Sequence, residues 1–119
     1  MTEEEQKPKR KKRTNATQLT VKEMRSRGYL CANVEKRIPH MPHVTQDLFG
    51  FIDVLCLGDD EVVAVQTTGD NGGNVAARIR KIADHENVAA VRKAGIRILV
   101  HGWKKGKDGK YSLREVDVS

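Results

Sequence analysis

Apolar residues recur along the chain at two spacings, one typical of helices and one of strands. Leu19, Val21 and Met24 lie at helical spacing within TQLTVKEMRSRG, which predicts a short helix. Thr17 is placed as its N-cap and Gly28 as its end. A second helical segment is predicted from Asn74 to about residue 94, and its pattern slips at residues 85–87, where a kink or break is expected.

Strand-like patterns fill most of the rest of the chain. The segment PHMPHVTQ, residues 39–46, is rich in Pro and His and is predicted to be a loop. Strands are predicted at residues 29–38, 50–57, 61–68, 96–103 and 111–118. The resulting order, α-β-β-β-α-β-β, predicts an α/β (α+β) domain over residues 17–119, with a mixed sheet of about five strands and flanking helices.

The second and third predicted strands form a hairpin whose register can be worked out. If Asp59 and Asp60 are the tip, paired residues have numbers that sum to 119, and Asp53 lies opposite Gln66 with Thr68 on the same face. A carboxylate and an amide oxygen at that spacing can bind one Mg²⁺ or Mn²⁺ ion. The alternative is that Gln66 hydrogen-bonds a loop and Asp53 pairs with an arginine.

Charge is distributed unevenly in this sequence of 119 residues, which carries a formal net charge of +6. Residues 1–16 are interpreted as a basic arm. Residues 7–13 contain no apolar side chain, so burial cannot offset the conformational entropy that this run would lose on ordering. Such an arm favours a polyanion, DNA or RNA, over a membrane surface, and a solubilising tail is the alternative. Its cations are Lys7, Lys9, Arg10, Lys11, Lys12 and Arg13.

The apolar runs, the N-terminus and the cysteines indicate the cellular compartment. No apolar run approaches the roughly 20 residues of a membrane span, and the polar N-terminus does not resemble a signal peptide. Cys31 and Cys56 are interpreted as buried reduced thiols, which fits a cytoplasmic protein. A zinc site is the weaker interpretation, because the sequence lacks the closely spaced cysteine pairs that such sites usually have.

The order of elements, with DLFGFID on the second strand and Gln66-Thr67-Thr68 on the third, resembles the PD-(D/E)XK nuclease superfamily, particularly its small phage and bacterial members. The resemblance covers about residues 17–104 and implies a restriction-endonuclease-like core and hydrolysis of DNA phosphodiester bonds at a magnesium or manganese site. It implies that Asp53 binds the metal. Gln66 stands where the family has an acid and Thr68 where it has a lysine, so two charges of the usual motif are absent.

Other residues are candidates to complete such a site. Arg78 or Lys81, on the helix face beside Val75, Ile79 and Ile82, are candidates for the missing cation, with a solvated basic face as the alternative. Glu35 is ranked first as an additional metal ligand, Asp47 second and Glu23 third. His40, His43 and His85 are weaker candidates as proton carriers.

Two functions are therefore expected from the resemblance: a metal-dependent DNA endonuclease, or a catalytically inactive nuclease-fold DNA-binding protein. A more distant alternative is an interaction protein whose basic arm binds an acidic partner. Family members often act as dimers, which also suggests a homodimer. Besides the arm, predicted DNA contacts are Asn74, Arg78 and a basic turn after Trp103 that includes Lys104, Lys105, Lys107 and Lys110.

Overall fold

A computed structural model describes residues 15–69 and 74–119, without the side chains of residues 42–44. Residues 1–14 of the predicted basic arm therefore lie outside the described residues. The helices are α1 Ala16–Ser26, α2 Asn74–Ala83 and α3 Val88–Lys93. The strands are β1 Leu30–Asn33, β2 Lys36–Ile38, β3 Met41–Gln46, β4 Val54–Leu57, β5 Val62–Gly69, β6 Arg97–Lys105 and β7 Tyr111–Asp117.

The main sheet has five strands in the order β1-β4-β5-β6-β7. Only β5 and β6 run parallel, and the other neighbours are antiparallel, so the predicted mixed α+β sheet is confirmed. The parallel pair requires a crossover, which α2 and α3 provide.

Helices cover both faces of this sheet. Val63 and Val65 point from β5 toward α1 and pack in one buried cluster with Met24. Ala64 lies between them in sequence, points to the other face, and packs with Val75 and Ile82 of α2. This alternation is the period of two expected of a strand buried on both sides.

The predicted register of the β4–β5 hairpin is confirmed, with Leu57 opposite Val62 and Leu55 opposite Ala64. The predicted start of this strand at residue 50 is wrong, because β4 begins only at Val54. The preceding residues form a tight loop closed by the isolated pair Leu48 and Ile52.

The first predicted strand and the loop after it also need correction. Residues 29–38 form two short strands, β1 and β2, which belong to different sheets. The predicted loop at 39–46 is largely β3, which pairs with β2 in a separate two-stranded sheet. A strand with only one neighbour can accommodate Pro, which explains why the Pro-rich segment is extended.

The helices follow the predicted pattern with one exception. The second helical segment is divided into α2 and α3, as the slip at residues 85–87 indicated. The N-cap of α1 is Asn15, whose side chain accepts a hydrogen bond from Gln18, so the prediction of Thr17 as the cap is wrong. Thr17 is instead buried within the first turn. Among the described residues, no helix is long and apolar enough to cross a membrane.

Candidate metal centre

A cavity of about 500 Å³ opens where β4 begins and β5 ends. Its polar lining includes carboxylates, an amide and two cations, contributed by Glu35, Asp47, Asp53, Gln66, Arg78 and Lys81. Sequence analysis had selected all of them as candidates, and the fold brings them to one place.

The small β2–β3 sheet explains why Glu35 and Asp47 meet. Lys36 at the start of β2 is paired with Gln46 at the end of β3. Glu35 comes directly before this pair and Asp47 directly after it, so the chain returns to the same point after eleven intervening residues. Their proximity is therefore a consequence of the hairpin that the sequence-based prediction missed.

Oxygen atoms of Glu35, Asp47 and Asp53 all lie within 4.8 Å of one another. Two oxygens bound to the same Mg²⁺ lie at most about 4.2 Å apart, since each lies about 2.1 Å from the ion. The three carboxylates therefore need only a small inward movement to share one hard divalent cation. The predicted ranking placed Glu35 above Asp47, and both contribute.

Asp53 is almost fully buried, with 3% of its surface exposed. Its Oδ2 atom accepts hydrogen bonds from Gln66 Nε2 at 2.7 Å and from the backbone N–H of Thr67 at 2.8 Å. Burial raises the pKa of Asp53 to about 7, and the nearby carboxylates of Asp47 and Glu35 add to this effect against the Thr67 hydrogen bond. A cation placed among the three acids would reverse this penalty, because an opposite charge favours the ionised form.

Gln66 carries the clearest sign that a ligand is expected. Its Nε2 atom is committed to Asp53, while its Oε1 atom is buried without a hydrogen-bond partner among the described residues. When Asp53 is ionised, reversing the amide would place an oxygen against its carboxylate, so repulsion favours the observed orientation. A buried acceptor without a partner is costly, and a cation or a bound water would remove that cost. The donor set fits Mg²⁺ or Mn²⁺, which prefer oxygen ligands.

Two threonines that sequence analysis did not select as site residues form hydrogen bonds with the acids. Thr17 Oγ1 donates to Glu35 Oε1 at 2.9 Å and lies 3.1 Å from Thr67 Oγ1. Thr67 Oγ1 also lies 3.2 Å from Asp53 Oδ2. The hydroxyls thus link the N-terminal turn of α1 to both carboxylates. A buried threonine at the start of a helix was the available signal, but it was interpreted as a cap.

The cations come from α2. Lys81 Nζ lies 3.6 Å from Asp47 Oδ2, and both Lys81 and Arg78 line the cavity. Lys81 is about one-third exposed, so its ammonium group is accessible to a ligand entering from solvent. Asn74, on the same face, donates from Nδ2 to the carbonyl of Gly69 at 2.8 Å, which fixes the helix start against the end of β5.

Several other predicted residues lie elsewhere. Thr68 is buried, does not line the cavity, and its hydroxyl donates to the Gly69 carbonyl at 3.2 Å. Glu23 forms an ion pair with Arg27. His85 packs its ring 5.3 Å from that of Phe51, and His40 is exposed in the β2–β3 turn. Lys104 and Lys105 are exposed at the end of β6.

No family model and no curated protein matches this chain. The chemical interpretation of the cavity therefore depends on the geometry of its own residues.

Proposed function

We propose that this protein is a metal-dependent DNA endonuclease that hydrolyses phosphodiester bonds. The observation that supports this most directly is the convergence of Glu35, Asp47 and Asp53 within 4.8 Å in a cavity that Gln66 also lines, where the buried Gln66 Oε1 has no partner among the described residues. Oxygen ligands of this kind, at the edge of a cavity that also contains cations, suit a site for a divalent ion and a phosphate group.

Asp53, Glu35, Asp47 and the Oε1 atom of Gln66 would hold the ion. A bound Mg²⁺ or Mn²⁺ supplies Lewis-acid polarisation of a phosphate oxygen and lowers the pKa of water. Thr17 and Thr67 keep the carboxylates in position through hydrogen bonds. The neutral Gln66 amide also donates to Asp53, which a glutamate at this position could not do.

Lys81 and Arg78 would take the part that the motif lysine has in the family that the sequence resembles. Both line the same cavity as the acids, although they lie on α2 and not on β5. A cation there offsets the negative charge that develops on a phosphate during hydrolysis. Thr68 occupies the position equivalent to the motif lysine but is not among the residues that line the cavity.

DNA as the partner is supported by where the basic segments attach. Asn15 and Ala16 line the cavity, and in the sequence they come shortly after the six cations of residues 7–13. Gly69 at the end of β5 is paired with Trp103, which places Lys104 and Lys105 just beyond that same end of the sheet. Lys104 and Lys105 therefore lie at the end of the sheet where β5 contributes Gln66 and Thr67 to the cavity, and cations there would suit contacts with a phosphate backbone.

A specific contact also favours the second function, a nuclease fold that binds DNA without cleaving it. Asp53 Oδ2 already accepts from Gln66 Nε2 and Thr67 N, so this oxygen is well satisfied by protein donors alone. A substituted motif stabilised in this way could be retained for structure after catalysis is lost.

Incubation with supercoiled plasmid in Mg²⁺ or Mn²⁺ separates the two functions. The endonuclease predicts nicked and linear products that disappear in Asp53→Ala and persist in the control Asp84→Ala, since Asp84 is exposed at the end of α2. Salt-dependent binding without any cleavage would favour the inactive DNA-binding protein. Absence of both binding and cleavage would contradict both functions.

A further inference from the structure

Phe49 is an exposed aromatic residue with an unfavourable backbone conformation. Its φ angle is +54°, and it is the only non-glycine residue with positive φ in the described part of the chain. Its side chain is 54% exposed. Left-handed backbone is costly for a bulky residue, and an exposed phenyl ring gains little from burial, so stability does not explain this arrangement.

Backbone hydrogen bonds and contacts with His85 and Asn87 hold the loop that carries Phe49. Leu48 and Ile52 exchange backbone hydrogen bonds of 2.9 and 3.0 Å, which close the loop at its base. Gly50 packs under His85 so closely that a Cβ atom would lie 2.2 Å from the Nε2 atom of the imidazole ring. Asn87 Nδ2 donates to the Phe49 carbonyl at 3.0 Å. The ring of Phe49 is therefore presented to solvent by a rigid backbone.

The position of this ring relates it to the candidate metal centre. Asp47 is two residues earlier on the same loop, and two residues span at most about 7 Å between Cα atoms. On its other side, Phe49 borders an apolar groove of about 350 Å³ that Ala90, Ala94 and Ile96 also line. Phe49 thus belongs both to this groove and to the loop that carries a carboxylate of the cavity.

We propose that Phe49 stacks against an unpaired nucleobase adjacent to the phosphodiester bound in the cavity, and that it makes the protein prefer DNA with an unstacked base. This inference rests on the proposed function. Base faces are covered in a regular duplex, and they become accessible in single strands, bulges and mismatches. An aromatic side chain on a backbone that is already fixed binds such a face with little loss of backbone entropy, and the groove gives an extruded base an apolar surface.

The test compares the affinity of the full-length protein for three DNA probes: a regular duplex, the same duplex with one bulged adenine, and a single strand. Fluorescence anisotropy in Ca²⁺ measures binding, and 2-aminopurine at the bulge reports stacking. Wild-type protein should prefer the bulged duplex. Phe49→Ala should reduce affinity for it about tenfold, without changing affinity for the regular duplex, because stacking on one base is lost.

Two further variants distinguish stacking from a structural role. Phe49→Tyr keeps an aromatic face and should retain both the preference and the 2-aminopurine quenching. Leu30→Ala removes another exposed apolar side chain, 70% exposed on β1, and should have no effect on any probe. Thermal unfolding establishes that each variant is folded.

An equal loss of affinity for all three probes in Phe49→Ala, or no loss for any of them, would overturn the stacking role while leaving the proposed endonuclease intact. In the second case, the aromatic patch would instead suit a protein contact. Failure of wild-type protein to bind any of the probes would overturn the proposed function and this inference together.

Discussion

Gln66 Nε2 donates a hydrogen bond of 2.7 Å to Asp53 Oδ2, while Gln66 Oε1 is buried without a partner among the described residues. One amide thus supports a buried carboxylate with its nitrogen, while its oxygen is left without a protein donor in a residue that lines the cavity. A glutamate would offer two oxygens but could not donate to Asp53 unless protonated. The glutamine therefore balances the stability of the metal-free protein against the strength of metal binding.

Gln66→Glu should shift this balance in a measurable way. Without metal, the added carboxylate faces Asp53 and the melting temperature should fall, because like charges would be buried together. With Mg²⁺, the added charge should tighten metal binding by about tenfold, or 1.4 kcal/mol. Thermal unfolding with and without Mg²⁺ measures both effects. Gln66→Met, which has no oxygen ligand, is the control, and equal Mg²⁺-dependent shifts in all three proteins would contradict a ligand role for residue 66.

Asp53→Asn should stabilise the metal-free protein at alkaline pH. The pKa of Asp53 is raised from 3.8 to about 7, mainly by burial, so the folded protein binds more protons than the unfolded chain between these values. Stability contributed by Asp53 is therefore present at low pH and is lost as the pH rises from about 4 to 7. Asparagine removes that loss and should raise the free energy of unfolding at pH 8 by on the order of 2 kcal/mol.

Urea unfolding of the wild type and Asp53→Asn across this pH range measures the difference. The gain should shrink as the pH falls from about 7 toward 4, because Asp53 of the folded protein is then protonated and no longer buries a charge. A difference that does not vary with pH would show that ionisation of Asp53 carries no such penalty.

Lys81→Ala should reduce DNA cleavage by about 100-fold while changing the free energy of unfolding little. Lys81 is partly exposed and its ion pair with Asp47 spans 3.6 Å, so it contributes little stability. Loss of a cation beside a developing phosphate charge commonly costs two to three orders of magnitude in rate, about 3 kcal/mol. Plasmid nicking rates provide the measurement. Lys93→Ala on α3 is the matched control, and equal rates in the two variants would exclude Lys81 from catalysis.

A buried network between α1 and the sheet makes a separate prediction. His101 is fully buried, with Nδ1 at 3.0 Å from Thr20 Oγ1 and Nε2 at 2.8 Å from Glu115 Oε2. Trp103 Nε1 donates to Thr20 Oγ1 at 2.9 Å. The pKa of Glu115 is lowered, because hydrogen bonds from His101 and Arg27 outweigh its burial, so it is ionised and only accepts. Nε2 of His101 must then carry the proton, and Nδ1 accepts from Thr20.

Thr20→Val should cost about 2 kcal/mol, because it leaves both the Trp103 N–H and His101 Nδ1 without their partner. Thr20→Ser keeps the hydroxyl and should cost less than about 1 kcal/mol. Urea unfolding of the two variants measures the difference. Equal destabilisation by Val and Ser would mean that packing, and not the hydroxyl, is what Thr20 contributes.

The same network predicts acid sensitivity of the fold. Burial lowers the pKa of His101 below its usual value of 6.5, against the hydrogen bond that His101 donates to Glu115, so the folded protein favours the neutral ring. The unfolded chain binds a proton first as the pH falls, and stability from His101 is lost below about 6.5. Protonation of Nδ1 would also leave the Thr20 hydroxyl hydrogen without its acceptor.

Local pattern was sufficient to predict the central part of the fold. The β4–β5 hairpin has a short acidic turn between apolar runs, so its register followed from counting, and the proximity of Asp53 and Gln66 followed from the register. The helix face of Arg78 and Lys81 was predictable because Val75 and Ile82 mark the buried side.

The rest of the candidate site depends on contacts between segments whose local sequence pattern does not indicate that they meet. Proline and histidine in residues 39–46 concealed β3, so the β2–β3 pairing that brings Glu35 to Asp47 could not be derived. The contact of Thr17 with Glu35 requires knowing where α1 docks on the sheet. Both are long-range consequences of packing that propensity does not encode.

Titration calorimetry with Mn²⁺ at alkaline pH tests the central claim most directly. We expect wild-type protein and the control Asp84→Asn to bind Mn²⁺ in the cavity, and Asp47→Asn and Asp53→Ala to lose most of that affinity. Absence of binding in the wild type, or equal affinity in all four proteins, would contradict a metal centre formed by Glu35, Asp47, Asp53 and Gln66.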